Sequence, residues 1–366
     1  MISRRSLLQM GAAAASSALV PNLAHSQSTS SLVQAAKTAG QNRVVIVMGG
    51  GAFGKQMTDL FFDPFTKETG IEVVRVDSSE SISRLKAMTQ MNIIEWDIIG
   101  MGNELALSSD VKTYLDELGN NCDALPNVRA EGIDGSCFGV GVLWDSGGAV
   151  LTYDERAFPE GGPANWAEFW DVERFPGPRS LPNHSAPWEV LVPAVLADGV
   201  PREKVFPLDL DRAFAKLDQL RPHIGVWWTS GDQSQQLLRS QEVVASILWS
   251  GRAARLKNEG VPIQFTWDGA PFTADVYSLI KGAPHPLAAK ALLDFMYTRP
   301  EAHAAFIKEM FYATPNKRAQ EHLDPAFAST LVTAPENFSK VIKFDPDWLA
   351  SHRDEVIKRW TAWIGG

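Results

Sequence analysis

The sequence predicts an α/β fold built on open parallel sheets that carry helices on both faces. Three observations support this fold class: short apolar runs rich in β-branched residues, helical stretches between them, and glycine or proline at the junctions. Strands that alternate with helices along a chain usually pair in parallel within one sheet. The 366 residues are 45% hydrophobic, enough for a large core and for about two domains.

The first part of the chain alternates regularly between strands and helices. The run Arg-Val-Val-Ile-Val-Met over 43–48 is typical of a strand buried on both faces. Gly70 ends the first helix, and Ile82, Leu85 and Met88 share one face of the second. The elements predicted here are strands over 43–48, 72–76 and 96–99, and helices over about 53–68 and 81–90.

The same alternation returns after residue 150, and the chain from about Pro286 onward is helical and rich in tryptophan and phenylalanine. The pattern therefore predicts a second α/β unit that resembles the first in construction. Its predicted elements are helices near 164–170, 187–197, 210–220 and 232–240, and a strand over 243–248.

Residues 1–26 have the pattern of a secretory signal peptide. Arg4 and Arg5 precede an apolar stretch over 10–20, and Ala24-His25-Ser26 supplies a cleavage site with small residues. The paired arginines, followed by two leucines, favour the twin-arginine export pathway, although an ordinary secretory leader fits the same residues. We expect a mature protein in the periplasm.

The mature chain is predicted to begin with a flexible lead-in over 27–42, rich in serine, glutamine and alanine. Cleavage after Ser26 removes two of the 34 basic residues and none of the 43 acidic ones, so the net charge falls from −9 to −11. An acidic balance disfavours nucleic acid and anionic membranes as partners.

Cys122 and Cys137 are the two cysteines of the chain. In an oxidising compartment an even count predicts a disulfide, although two buried free thiols are the alternative. The pair lacks the spacing of a redox motif, and no histidine cluster lies nearby in sequence, so no metal site is predicted.

The segment 49–54, Gly-Gly-Gly-Ala-Phe-Gly, matches a dinucleotide-binding loop between a strand and a helix, and Asp77 ends the next strand. An exported oxidoreductase that binds NAD or a flavin is therefore the rival hypothesis. Pro64 is expected to interrupt the helix that such a loop requires. The glycines have a second explanation, the close approach of a ligand or another lobe. Without an assembled acid–base set, we predict no catalytic residues and no cofactor.

Six segments in consistent order resemble periplasmic solute-binding proteins of the spermidine/putrescine-binding class. They span essentially the whole mature chain, and each is moderately specific alone. The segments are Phe65–Val73, Asn165–Asp171 with Phe175–Gly177, Val243–Gly251, Asp275–Gly282, Tyr312–Asn316 and Trp348–Trp363.

The resemblance implies a two-lobed Venus-flytrap fold with crossing hinge strands and a solute held in the cleft between the lobes. The implied lobes are 43–145 with 276–312, and 146–275 with 313–366. It further implies a monomer that delivers its solute to an ABC permease at the inner membrane and is not an enzyme.

By the same resemblance, Glu189 and Asp275 hold a cationic solute while Trp249 and Tyr312 wall the cleft. Other roles fit these residues: a helix-start carboxylate for Glu189, a hinge turn for Asp275 and core packing for Trp249. Further candidates for the cleft are Gly50, Phe53, Trp144, Asp145, Trp188 and Trp228.

The chain departs from the family pattern where relatives place aromatic or hydroxyl side chains in the first lobe. It has glycines at 49–51, and Gly102 and Glu104 stand where serine and tyrosine are expected. We therefore expect a small organic cation, with a polyamine as the leading case and room for a bulkier amine.

The export hypothesis is testable by replacing Arg4 and Arg5 with lysine. We expect the double variant to accumulate as precursor in the cytoplasm, because the twin-arginine pathway requires both guanidinium groups. Immunoblotting of cell fractions measures this, with wild type processed to a mature N-terminus near Gln27. Normal export of the variant would contradict the twin-arginine pathway but not the periplasmic location.

Overall fold

The computed structural model describes residues 31–78, 81–119, 122–137, 139–184 and 186–366. Within these ranges it has nine strands. They are β1 Arg43–Met48, β2 Glu72–Asp77, β3 Ile98–Gly102, β4 Val142–Asp154, β5 Arg179–Pro182, β6 Ile224–Trp228, β7 Ala245–Trp249, β8 Ile263–Thr266 and β9 Phe272–Leu279.

The helices lie between the strands and after the last of them. Those of the first part are α1 over 31–38, α2 Gly51–Met57, α3 Asp63–Thr69, α4 Ser81–Gln90, α5 Asn103–Leu107, α6 Ser109–Lys112 and α7 Pro126–Glu131. Those that follow are α8 Trp166–Trp170, α9 Trp188–Ala197, α10 Leu210–Leu220, α11 Gly231–Arg239, α12 Ser250–Asn258, α13 Pro286–Met296, α14 Pro300–Met310, α15 Pro325–Ala328, α16 Pro335–Phe338 and α17 Pro346–Gly365.

The strands follow the order β2-β1-β3-β9-β4-β7-β5-β6, and β8 pairs with β4. The pairs of β1 with β2 and β3 are parallel, as are those of β5 with β6 and β7. Strands β4 and β9 are antiparallel to each other and connect these two groups. The α/β class predicted from the sequence is therefore confirmed, with two antiparallel strands at its centre.

Separate clusters of buried side chains lie on either side of the central strands. The first half, built around β1, β2 and β3, packs α2, α3 and α13 against β1, with Ile46, Phe61 and Leu292 fully buried. The second half, built around β5, β6 and β7, packs α9 and α10 together, with Leu191 and Leu217 fully buried. Each half thus has a core of its own, which lets the halves meet across a cleft.

The helical run from α2 to α3 continues through Pro64, contrary to the expected interruption. Residues Thr58–Phe62 form a π-helical turn immediately before it, and Pro64 occupies the first turn of α3. The chain is helical on both sides of Pro64, so the proline removes one N–H from the run, and the π-helical turn directly before it is the local rearrangement that accommodates the loss. Pro64 therefore does not count against a glycine-loop function.

The predicted flexible lead-in contains a helix over 31–38. Ala36 is fully buried, and Leu32 and Val33 pack against the first core. Their spacing places the three on one helical face, and this apolar face outweighs the polar composition that suggested a flexible segment. The proposed signal peptide lies outside the described residues.

The predicted Cys122–Cys137 disulfide is confirmed, with the two Cα atoms 5.8 Å apart. Cys122 is fully buried against Leu118 and Leu125 in the first core. Among the described residues, no helix combines the length and apolar character needed to span a bilayer.

We expect the double replacement of Cys122 and Cys137 by serine to lower the free energy of unfolding by about 3 kcal/mol, because the bridge restricts a short loop in the unfolded chain. Urea unfolding of the oxidised wild type, the reduced wild type and the variant measures this. Reduced wild type and variant should agree. Equal stability of all three proteins would contradict a stabilising bridge.

Candidate functional site

The central strands bring three backbone positions together at one edge of the first half. Asp275 on β9 pairs with Gly102 on β3 and, on its other side, with Asp145 on β4. Residues paired directly across adjacent strands project to the same face of a sheet. The Asp145 and Asp275 side chains therefore lie side by side.

A β-bulge at Trp144 sets the direction of the Asp145 side chain. Leu143 pairs with Val276 and Asp145 with Asp275, so β4 carries one extra residue. Trp144 is buried in the first core, with its ring centroid 4.9 Å from that of Phe61. The bulge thus separates two neighbouring sequence candidates: Trp144 packs in the core and Asp145 enters the cleft.

Glu104, in the first turn of α5, folds back over Gly102. A β-carbon on Gly102 would lie 2.3 Å from Glu104 Oε1, so the carboxylate occupies the space that a side chain at 102 would fill. Because Gly102 is the strand partner of Asp275, the Glu104 carboxylate continues the pair on β4 and β9.

Glu189 approaches this group from the second half, in the first turn of α9, and is buried. The Trp249 indole Nε1 donates a 3.0 Å hydrogen bond to Glu189 Oε2. His184 Nε2 lies 3.3 Å from the same oxygen. The Ala186 N–H donates to His184 Nδ1, so a neutral imidazole carries its proton on Nε2, facing the glutamate.

Glu104, Asp145 and Asp275 have raised pKa values. Removal from water, helped by the charges of Glu189 and Asp275, raises the pKa of Glu104 to about 8. Burial and the adjacent Asp275 charge raise the pKa of Asp145 well above its usual value. Asp275 is open to the cleft but surrounded by protein, and this desolvation, with the Glu189 charge, raises its pKa to about 6.

The aromatic residues predicted for the cleft occupy different layers. The Trp249 ring is partly exposed, with centroids 5.2 Å from His184 and 5.0 Å from Trp228. Trp228 is fully buried behind it, and its Nε1 donates to the Ile247 carbonyl. Trp249 can therefore contact a solute, whereas Trp228 supports it.

Tyr312 lies against the backbone of two glycines. β-Carbons on Gly147 and Gly251 would lie 3.0 and 2.6 Å from its ring atoms, respectively. Burial, opposed by the Arg252 charge, raises the pKa of Tyr312, and the charges of Asp145, Asp275 and Glu189 raise it further. The ring is thus near enough to both the carboxylates and Arg252 to feel their charges.

Among the described residues, three other predicted candidates make no contact with the carboxylates. Trp188 is buried in the second core near Phe344, because α9 turns this apolar face inward. Phe53 packs edge-on against Phe306. Gly50 lies against Asp77, where a β-carbon would be 2.7 Å from Oδ2. Trp188 and Phe53 therefore make packing contacts in the structure, and a role at the cleft stays a prediction for both.

Arg252, in the first turn of α12, was missed by the sequence reasoning. It is 7% exposed, Nη1 donates to Asp232 Oδ1 at 2.7 Å, and its buried Nε has no partner among the described residues. The sequence could have indicated it, because Arg252 directly follows the Trp249-Ser250-Gly251 segment predicted for the cleft. Burial of a cation there is costly unless it has a partner.

The two halves meet at the rim of the cleft through Asp232 of α11. A β-carbon on Gly51 would lie 2.7 Å from Asp232 Oδ2, and Gly51 has a positive φ of 64°. In a second contact between the halves, Arg353 Nη1 of α17 lies 3.8 Å from Asp110 Oδ2 of α6. Both contacts join residues that belong to different halves.

Comparison with known proteins identifies relatives along most of the chain. The γ-aminobutyric acid-binding protein of Pseudomonas aeruginosa is 29% identical over 90% of this chain and 93% of its own length. The spermidine/putrescine-binding periplasmic protein of Escherichia coli is 24% identical over 75% and 79% of the two lengths, respectively.

Solved structures agree with these relatives. An ABC transporter substrate-binding protein from Bradyrhizobium japonicum superposes with a TM-score of 0.79 and 31% identity, covering 88% of this chain and 99% of its own. The Atu4243-GABA receptor superposes with the same score and 30% identity, covering 88% and 97%. Both share the two-lobed architecture predicted above.

The family model for bacterial extracellular solute-binding proteins matches residues 61–336. That span includes large parts of both halves, the crossing strands and all four carboxylates. The chain therefore belongs to the family of bacterial extracellular solute-binding proteins and is the substrate-binding component of an ABC transporter.

Proposed function

We propose that this protein captures a small solute with a positively charged amino group, and that an ω-amino acid of the γ-aminobutyrate type is the leading candidate. The observation that carries the proposal is the set of carboxylates in the cleft. Neither Asp145 nor Asp275 forms an ion pair with a lysine or arginine among the described residues, and the buried Asp145 Oδ2 accepts no hydrogen bond there.

A cationic solute supplies what these carboxylates lack. Desolvation makes their ionised forms costly, and an ammonium group placed among them compensates that cost with charge-assisted hydrogen bonds. The partly exposed Trp249 ring adds a surface for the methylene chain and for cation–π contact, worth roughly 0.5–2 kcal/mol. An anionic solute would meet repulsion at the same place.

Arg252 favours a zwitterion over a simple amine. Its buried Nε is a free donor among the described residues, and its charge acts on Tyr312, on which the charges of Asp145, Asp275 and Glu189 also act. A solute with an ammonium among the carboxylates and a carboxylate toward Arg252 would use both groups. Two relatives whose names include γ-aminobutyric acid or GABA support a zwitterion of this kind as the solute.

A polyamine is the second candidate, favoured by the number of carboxylates, since a diammonium chain can neutralise more than one of them. The more distant spermidine/putrescine-binding relatives support it. The dinucleotide hypothesis loses support at Gly51, because the Asp232 carboxylate lies where a phosphate would approach the glycine loop, and two anions repel.

We also propose that the solute is delivered to the permease after closure of the cleft, and that the protein is a periplasmic monomer without catalytic activity. Solute held between both halves is hidden from water, and the contacts between the halves are then available to stabilise the closed arrangement. The relatives, as solute-binding proteins, support this view.

Calorimetry with γ-aminobutyrate, putrescine and spermidine tests the ligand class. We expect Asp275→Asn to weaken binding of the preferred solute by about thirtyfold, roughly 2 kcal/mol, because an ammonium is left without its charged partner. Arg252→Gln should weaken γ-aminobutyrate to a similar degree and putrescine far less.

Asp211→Asn, the same change at a side chain that is 90% exposed, is the matched control and should bind like wild type. Equal losses for both solutes in Arg252→Gln would contradict the zwitterion orientation. A wild type that binds anions and ignores all three amines would contradict the proposed function.

The raised pKa values predict opposite pH trends for stability and affinity. Between about pH 4 and 8 the folded protein holds protons at Glu104 and Asp275 that the unfolded chain releases, so the solute-free protein gains stability as pH falls. A bound cation must displace those protons, so affinity falls as pH falls, about tenfold per pH unit for each proton displaced.

Thermal unfolding and calorimetry from pH 8.5 to 5.5 measure both trends. Glu104→Gln should raise the melting temperature of the solute-free protein at pH 8.5 and flatten its pH dependence. Affinity that rises toward acid pH would contradict a carboxylate site for a cation.

A further inference from the structure

Three carboxylates form a row across three adjacent strands. Glu104 lies over Gly102 on β3, Asp275 is the strand partner of Gly102, and Asp145 is the partner of Asp275 on β4. Neighbouring strands are about 4.8 Å apart, so the row extends over roughly 10 Å on one face. Glu189 does not belong to it, since its Oε2 already accepts from Trp249.

The row has features of a built site beyond its charge. Asp145 is 5% exposed, and its Oδ2 has no hydrogen-bond partner among the described residues. Gly102 leaves open the space that the Glu104 carboxylate fills. Arg353 is the cation whose charge acts on Glu104, but its recorded ion pairs are with Asp110 and Asp354.

A single ammonium group is too compact to pair with carboxylates along the whole row. Its three N–H donors diverge from one nitrogen and reach acceptors within about 3 Å of it. A guanidinium spreads its charge and its N–H donors over three nitrogens in one plane, and it pairs with carboxylates through two parallel hydrogen bonds. Such a group can contact Asp275 and a neighbouring carboxylate of the row at the same time.

We propose that Glu104, Asp275 and Asp145 select a solute whose basic end is a guanidinium group in preference to one that ends in a primary ammonium. This inference rests on the proposed function, because it specifies the basic end of the solute bound in the same cleft. Glu104 is the specificity-determining residue, since it adds the third carboxylate to the row, over the glycine that pairs with Asp275.

Pairs of compounds that differ only in the basic group test the proposal. The first pair is 4-guanidinobutyrate and γ-aminobutyrate, which share the carboxylate and the methylene chain. The second is agmatine and putrescine, which lack a carboxylate and so do not depend on Arg252. In calorimetry on the full mature protein, we expect the guanidino compound of whichever pair binds to have at least tenfold higher affinity than its ammonium counterpart.

Two variants separate the row from general electrostatics. Glu104→Gln removes the charge and keeps the shape, and should weaken the guanidino compound more than the ammonium compound, so that the preference falls to threefold or less. Gly102→Ala keeps the charge but displaces the carboxylate, and should act in the same direction. Glu95→Gln, a side chain exposed on the first half, should change neither affinity.

A wild type that prefers the ammonium member of both pairs would overturn the inference while leaving the proposed function in place. Equal weakening of both members in Glu104→Gln would overturn it as well, because the glutamate would then attract any cation. If no member of either pair binds, the proposed function and the inference both fail. Circular dichroism and melting temperature of each variant identify one that is misfolded.

Discussion

The site depends on the pairing of β4 with β9, which holds Asp145 directly opposite Asp275. These strands connect the two halves of the molecule, so the two carboxylates cannot separate without breaking the ladder at its centre. Desolvation raises both pKa values, together with the Asp275 charge for Asp145 and the Glu189 charge for Asp275, and the Asp275 backbone N–H offsets only part of that cost for Asp145. The fold thus maintains a destabilising pair at the place where a solute cation can stabilise it.

Around this pair, small residues and closely packed rings fix the positions of the other groups. Glycines at 102, 147 and 251 let the Glu104 carboxylate and the Tyr312 ring lie against backbone. On the second half, hydrogen bonding to Trp249 fixes Glu189, with His184 facing the same oxygen. Groups held in this way lose little conformational freedom when a solute binds, which favours affinity.

Sequence patterns predicted the local elements well, because helix and strand periodicity reports which face is buried. The helix over 210–220 has the bounds that were predicted, and Trp249 and Glu189, inferred from the family resemblance, are hydrogen-bonded to each other. The patterns failed where a distant contact decides the outcome. Trp188 lies on the inward-facing side of α9. The row of carboxylates that includes Glu104 depends on how distant strands pair, which neighbouring residues in the sequence do not reveal.

The glycine loop shows how a motif acquires its meaning from the opposite half of the chain. Gly51 has a positive φ, and a β-carbon there would meet Asp232 of α11, so glycine is required on two grounds. The other oxygen of Asp232 accepts from Arg252, the cation beside Tyr312. One carboxylate therefore joins the first half to a residue at the solute cleft. Because this contact exists only when the halves are close, the loop that suggested a phosphate cradle is explained by closure of the cleft.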